Sequence, residues 1–170
     1  MSESITAYQS IRDAMNRSVD QPSVLMTEAQ YTGVVHALAT VIGGDPEAFF
    51  GWKANVCAVG EALYTFMWIK DGVFGKAEVL RPAEDDSKAA PTTCWIRPLS
   101  DIRKIEVGFD VTNGPVVVSE FTVKQKATVH WDGESVTLDA TGSMNSYSRP
   151  ELEKLIDLVL GSIRTETVLA

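Results

Sequence analysis

The sequence predicts an α+β protein. It should contain two antiparallel β-sheets packed as a sandwich or open barrel, closed by a C-terminal helix and preceded by a helical N-terminal extension. Three observations carry this reading. Apolar residues recur at helical spacing through the first 52 positions, the period falls to two from about Ala54, and an amphipathic stretch of helical period returns near the end of the chain. Two Asp-Gly pairs, at 71–72 and 132–133, sit between alternating segments as two-residue hairpin turns do. The 170 residues, 45% hydrophobic and 22% charged, are enough to bury a core without staples.

In the extension, residues 1–52, Ile5, Tyr8, Ile11 and Met15 lie on one helical stripe, with Arg12 its polar exception. Asp20-Gln21-Pro22-Ser23 breaks that helix. Thr27 and Gln30 have capping-box spacing, and the helix they open carries Tyr31, Val34, Val35, Leu38, Val41 and Ile42 as far as Gly43-Gly44. Asp45-Pro46-Glu47 resembles a further helix start, predicting a short turn that carries Phe49, Phe50 and Trp52.

The β unit should span 54–164, leaving 165–170 as a frayed tail. With Asp71-Gly72 as a turn, Ile69 faces Phe74, Trp68 faces Gly75, Phe66 faces Ala77 and Tyr64 faces Val79. Each large ring then stands opposite a small residue, which fills a packed face without voids. The other face, with Leu63, Thr65, Met67, Ile69 and Phe74, is half apolar and wants a cover, which the N-terminal helices could supply. Deleting those helices should then cause aggregation. Residues 82–93 read as an acidic loop, and Pro98 limits the next segment to a short edge strand and a corner. A strand from about Ile102 to Phe109, a turn at Asn113-Gly114-Pro115 and a long strand from Val116 to Trp131 follow. The second hairpin puts Val129 opposite Val136, Ala127 opposite Leu138 and Lys126 opposite Asp139. Lys124, Lys126, Thr128 and His130 then share a polar face, and Val123, Ala127, Val129 and Trp131 share an apolar one. A slip of one residue would invert both faces.

The final helix begins at Ser148-Arg149-Pro150-Glu151, whose spacing is that of a capping box, and buries Leu152, Leu155, Ile156, Val159, Leu160 and Ile163. The segment 95–107, WIRPLSDIRKIEV, is similar to a strand of bacterial pleckstrin-homology (PH)-like domains, and the hairpin 121–140 and helix 150–163 follow in that family's order. The resemblance covers about residues 54–164. It implies binding rather than catalysis: lipid head groups, peptides or self-association. Members that bind phosphoinositides gather cations at the first hairpin. Here Lys70, Lys76 and Arg81 are offset by Asp71, Glu78 and the acidic loop, so phosphoinositide binding is not expected.

A formal net charge of −8 repels phosphate backbones and anionic lipid, and the region 94–131 is near neutral, which excludes a nucleic-acid stripe. No apolar run reaches the length of a membrane span, and no apolar signal core opens the chain, so the cytoplasm is the expected compartment. Cys57 and Cys94 read as buried thiols, with pairing between them left open. They and His36 and His130 are too scattered for a zinc site, and no phosphate loop or nucleophile elbow is present, so neither cofactor nor metal is expected. The expected function is a non-catalytic protein-protein interaction or assembly module, working through a protein partner or self-association. Its interface candidates are Phe49, Phe50, Trp52, Met67, Ile69 and Phe74. The alternative is a carrier holding a small apolar ligand or lipid between sheet and helix, and an enzyme stands third.

Overall fold

A computed structural model describes residues 2–20, 26–55, 61–81, 90–113 and 121–166. The chain is α+β, with two sheets and three α-helices among the described residues. Helices α1 (Ser2–Ser18) and α2 (Glu28–Ile42) flank the two-residue strand β1 (Val19–Asp20). Strands β2 (Ala48–Asn55), β3 (Ala62–Lys70), β4 (Val73–Arg81) and β5 (Thr92–Pro98) form an antiparallel sheet in chain order, and β1 runs parallel along β2. A 3-10 turn, Leu99–Asp101, leads into the second sheet of β6 (Lys104–Asn113), β7 (Phe121–Trp131) and β8 (Glu134–Asp139). Helix α3 (Ser148–Glu166) follows and packs against β2 of the larger sheet. The sheets do not close into a barrel.

Both hairpins form in the expected registers. Ile69 pairs with Phe74, Trp68 with Gly75, Phe66 with Ala77 and Tyr64 with Val79. In the second, Val129 pairs with Val136, Ala127 with Leu138 and Lys126 with Asp139. The turn glycines, Gly72 at φ 74° and Gly133 at φ 80°, occupy the left-handed region that excludes most side chains. Glu47 braces the first turn by accepting a 2.9 Å bond from the Asp71 N–H.

The central strands of the larger sheet are covered on both faces, while its edge strand β5 is largely exposed. Phe49, Tyr64, Phe66, Trp68, Ala77 and Val79 pack under α1 and α2 with Ile11, Met15, Val34, Val35, Leu38 and Ile42. Phe50, Met67, Ile69 and Phe74 pack against Ala127, Val129, Trp131 and Leu138 of the small sheet and Leu152, Leu155, Ile156 and Val159 of α3. The expected cover is therefore exchanged: the N-terminal helices lie on the Tyr64/Phe66/Trp68 face, and α3 with the small sheet covers Met67 and Ile69. The half-apolar pattern of the Met67/Ile69 face, which includes Thr65, Lys76 and Glu78, shows that it needs a cover but not which element supplies it. Where the two sheets meet, the rings of Phe74, Trp95 and Trp131 cluster at 5.2–5.9 Å, and the Trp131 indole N–H donates to the Pro98 carbonyl at 3.1 Å.

Two local expectations are corrected. The turn expected after Asp45-Pro46-Glu47 is strand β2, and the expected limit of the extension at residue 52 falls inside it. Phe49 and Phe50 are successive residues buried on opposite faces, so a strand covered on both sides resembles a continuous apolar run rather than an alternation. At α3 the cap is Asn145, not Ser148. Its side-chain oxygen accepts from the Tyr147 and Ser148 N–H groups at 3.0 and 2.7 Å, while the Ser148 hydroxyl donates to the Asn145 carbonyl. The capping box of α2 forms as expected: the Thr27 side chain accepts from the Gln30 N–H, and the Gln30 side chain accepts from the Thr27 N–H. The turn at 114–115, the bend near 119–120, most of the acidic loop and Cys57 lie outside the described residues.

Candidate functional site

Five of the six expected interface residues do not reach the surface. Phe49, Phe50, Met67, Ile69 and Phe74 are at most 3% exposed and fill this chain's own two cores, and Trp52 is half-buried against Phe50. The cause is the strand at 48–55 and the two-sided cover of the larger sheet.

Exposed large apolar side chains are scattered at Val41, Leu80, Ile96, Tyr147 and Ile163, but on the small sheet they gather together. β6 pairs with β7 without interruption from Lys104↔His130 to Asn113↔Phe121, whereas β8 reaches only as far as Lys126. Beyond Gly108 and Lys126 the sheet continues as a two-stranded arm, Phe109–Asn113 with Phe121–Gln125, about 17 Å long at the usual strand rise. Alternation places Ile105, Val107, Phe109 and Val111 of β6 on one face with Val123, Ala127 and Val129 of β7. The inner end of this row, Ala127 and Val129, is fully buried. Its outer end is exposed: Phe109 is 63% exposed, Val111 54%, Phe121 53%, Val123 52% and Val107 41%. At the root, the Gln125 side-chain amide donates to Asp157 of α3 at 3.3 Å. The apolar row thus runs from core to solvent along β6, while on β7 Gln125, opposite Phe109, separates Ala127 from Val123. Sequence reading placed Val123 with the core set correctly by face but not by depth. The signal that separates them is strand length, since a six-residue β8 cannot shield a ten-residue β6.

The opposite face is polar and internally paired. Lys126 and Asp139 lie 3.1 Å apart across strands, and Lys104 bonds to Glu106. His130 sits on this face with its ring 3.7 Å from Glu106. The His130–Glu134 cluster is the hairpin turn, fixed to the β5–β6 corner by Arg103, whose guanidinium donates to Asp132 at 2.9 Å. That bond holds the Asp132 carboxyl below its ordinary range, as the Lys104 bond does for Glu106. These are surface pairs that set a turn and a register.

A second feature is a half-open cleft of about 220 Å³ between β2, β3, β8 and the start of α3. Phe50, Trp52, Met67, Leu138, Met144 and Leu152 line it, with Thr137 and Asp139 on its polar side. Both polar groups are engaged elsewhere, Thr137 with Thr128 and Asp139 with Thr141 and Lys126. The lining therefore offers an apolar surface and little to orient a charged ligand.

Cys94 is exposed on β5, against the expectation of burial, and desolvation pushes its thiol above the ordinary value, away from nucleophilic use. Among the described residues no three His, Cys, Asp or Glu side chains group as metal ligands, and no helix is long and apolar enough to cross a membrane. No protein-family model matches the chain, and no curated protein and no solved structure matches it.

Proposed function

We propose that the protein is a non-catalytic interaction or assembly module that binds protein through the apolar face of the β6–β7 arm. The observation that carries this is the run of Phe109, Val111, Phe121 and Val123, each more than half exposed, with Val107 at 41% beside them. Contiguous apolar surface rimmed by polar residues marks an interaction site, and each such side chain contributes about 1.5–3 kcal/mol when fully buried. The order of four strands, three strands and a helix from Ala48 to Glu166 supports a PH-like unit as the scaffold. A phosphoinositide is not the partner in this reading, because Lys70 and Lys76 at the first hairpin already face Asp71 and Glu78 at 3.4 and 2.6 Å.

The test is light scattering on the full chain beside a Phe109→Ser/Val111→Thr variant. The wild type should exceed the monomer mass or retain a folded partner that the variant loses, with the melting temperature of the two alike. A strictly monomeric wild type that retains nothing the variant loses refutes the reading.

The cleft favours a second reading, a carrier of a small apolar molecule. Its volume of about 220 Å³ lies below the roughly 300–1,000 Å³ of ordinary ligand pockets, which ranks it behind the arm. Native mass spectrometry decides it: the carrier reading requires a copurified apolar molecule that Leu138→Trp displaces.

A further inference from the structure

Sheet edges are templates for pairing unless they are short, kinked or charged. Among the described residues the edge strands are β1, β5, β6 and β8. β1 has two residues, β8 has six, and β5 is bracketed by Pro91 and Pro98. β6 is neither short nor bounded by proline, and its charged side chains, Lys104, Glu106 and Asp110, are of both signs. It runs for ten residues, contains no proline, pairs one-to-one with β7 without a bulge, and is exposed at every described side chain except Ile105.

The sequence of β6, KIEVGFDVTN, is also self-complementary. When two copies meet antiparallel about a two-fold axis normal to the sheet, opposite residues share a face, so only registers pairing residues of equal parity are allowed. With the axis at Val107, Lys104 of each copy stands opposite Asp110 of the other, Ile105 opposite Phe109, Glu106 opposite Gly108, and Val107 opposite itself. With the axis at Gly108, Glu106 meets Asp110, two like charges. With the axis at Phe109, neither Lys104 nor Asp110 gains an opposite charge. In the Val107 register the charges alternate across the joined sheet, because Asp110 already stands beside Lys124 of β7. The row then reads Lys124, Asp110 and Lys104 of the second copy. The arm of each copy, from Phe109 outward, is carried past the axis and alongside the other copy, with its apolar face on the same side as that copy's core.

We infer that the occupant of this edge is a second copy of the same chain, joined β6 to β6 about Val107 into a six-stranded sheet. This rests on the reading of the arm as an interaction surface and specifies the partner. The local charge match opposes the general repulsion expected from a net charge of −8.

Sedimentation velocity of the full chain across a concentration series should show a monomer–dimer equilibrium. Asp110→Lys and Lys104→Asp, both at exposed positions, each turn two attractive cross-strand pairs into repulsive ones and should weaken dimerisation roughly tenfold. The double variant Lys104→Asp/Asp110→Lys restores both pairs and should return the dissociation constant to within about threefold of wild type. Circular dichroism confirms that each variant is folded. A chain that stays monomeric throughout overturns the second copy as occupant and leaves the arm's apolar face to another protein. A dimer indifferent to both single reversals overturns the β6 edge, and a double variant no tighter than the singles overturns the register.

Discussion

Gly75 stands opposite Trp68 in the first hairpin, and the Trp68 indole lies directly over it. A Cβ added there would sit 2.1 Å from Trp68 Cε2, 2.2 Å from Cζ2 and 2.6 Å from Nε1. Ordinary contact begins more than an ångström further out, so Gly75→Ala must move the ring. Trp68 is 2% exposed and packed within the α1/α2 core, which leaves it nowhere to move cheaply. Overpacking of this kind costs about 1–3 kcal/mol, and full loss of a buried Trp seat costs about 3–5 kcal/mol. We therefore expect Gly75→Ala to destabilise by about 3 kcal/mol, which for this chain length lowers the melting temperature by about 6–12 °C. Urea unfolding followed by tryptophan fluorescence measures it. Gly33→Ala is the control: nothing lies within 4 Å of its added Cβ, it is helical, and it should stabilise by up to about 1 kcal/mol. The cycle closes with Trp68→Leu, in whose background Gly75→Ala should cost under about 1 kcal/mol, since the obstructing ring is gone. A Gly75→Ala protein within about 0.5 kcal/mol of wild type, or a cost undiminished beside Trp68→Leu, refutes the close approach as its cause.

Two further outcomes follow from the closing segment. Asn145→Ala removes the acceptor of two N–H groups at the start of α3 and should cost about 1 kcal/mol, whereas Asn145→Asp should retain most of the stability, both read from thermal unfolding. The Asp139 carboxyl is held below its ordinary range, chiefly by the Thr141 hydroxyl, which bonds to it at 2.5 Å. A depressed carboxyl contributes stability above its unfolded pKa and loses it as pH falls through the folded value. Asp139→Asn should therefore flatten the loss of stability below pH ~4 and cost under about 1 kcal/mol near neutrality, where the half-exposed Lys126 pair is also lost. An acid limb as steep as that of wild type would contradict this assignment.

Residue-level pattern determined the pieces that local physics controls. The Asp-Gly turns set both registers because only a φ above zero makes the tight reversal and each register sorts two faces at once. The α2 capping box and the buried stripe Leu152, Leu155, Ile156 and Val159 are likewise written in spacing. Tertiary structure decided what covers what. Phe49, Phe50, Met67, Ile69 and Phe74 are the kind of residues an interface uses, and no local rule distinguishes a ring that meets a partner from one that meets its own α3. The same limit hid the arm. Val123 and Val129 occupy equivalent places in one alternation, yet one is 52% exposed and the other is fully buried. Burial depends on whether a third strand or a helix reaches that depth, and a six-residue β8 stops short of it. Alternation along a strand records which way a side chain points, while the matter filling the space in front of it comes from segments distant in sequence.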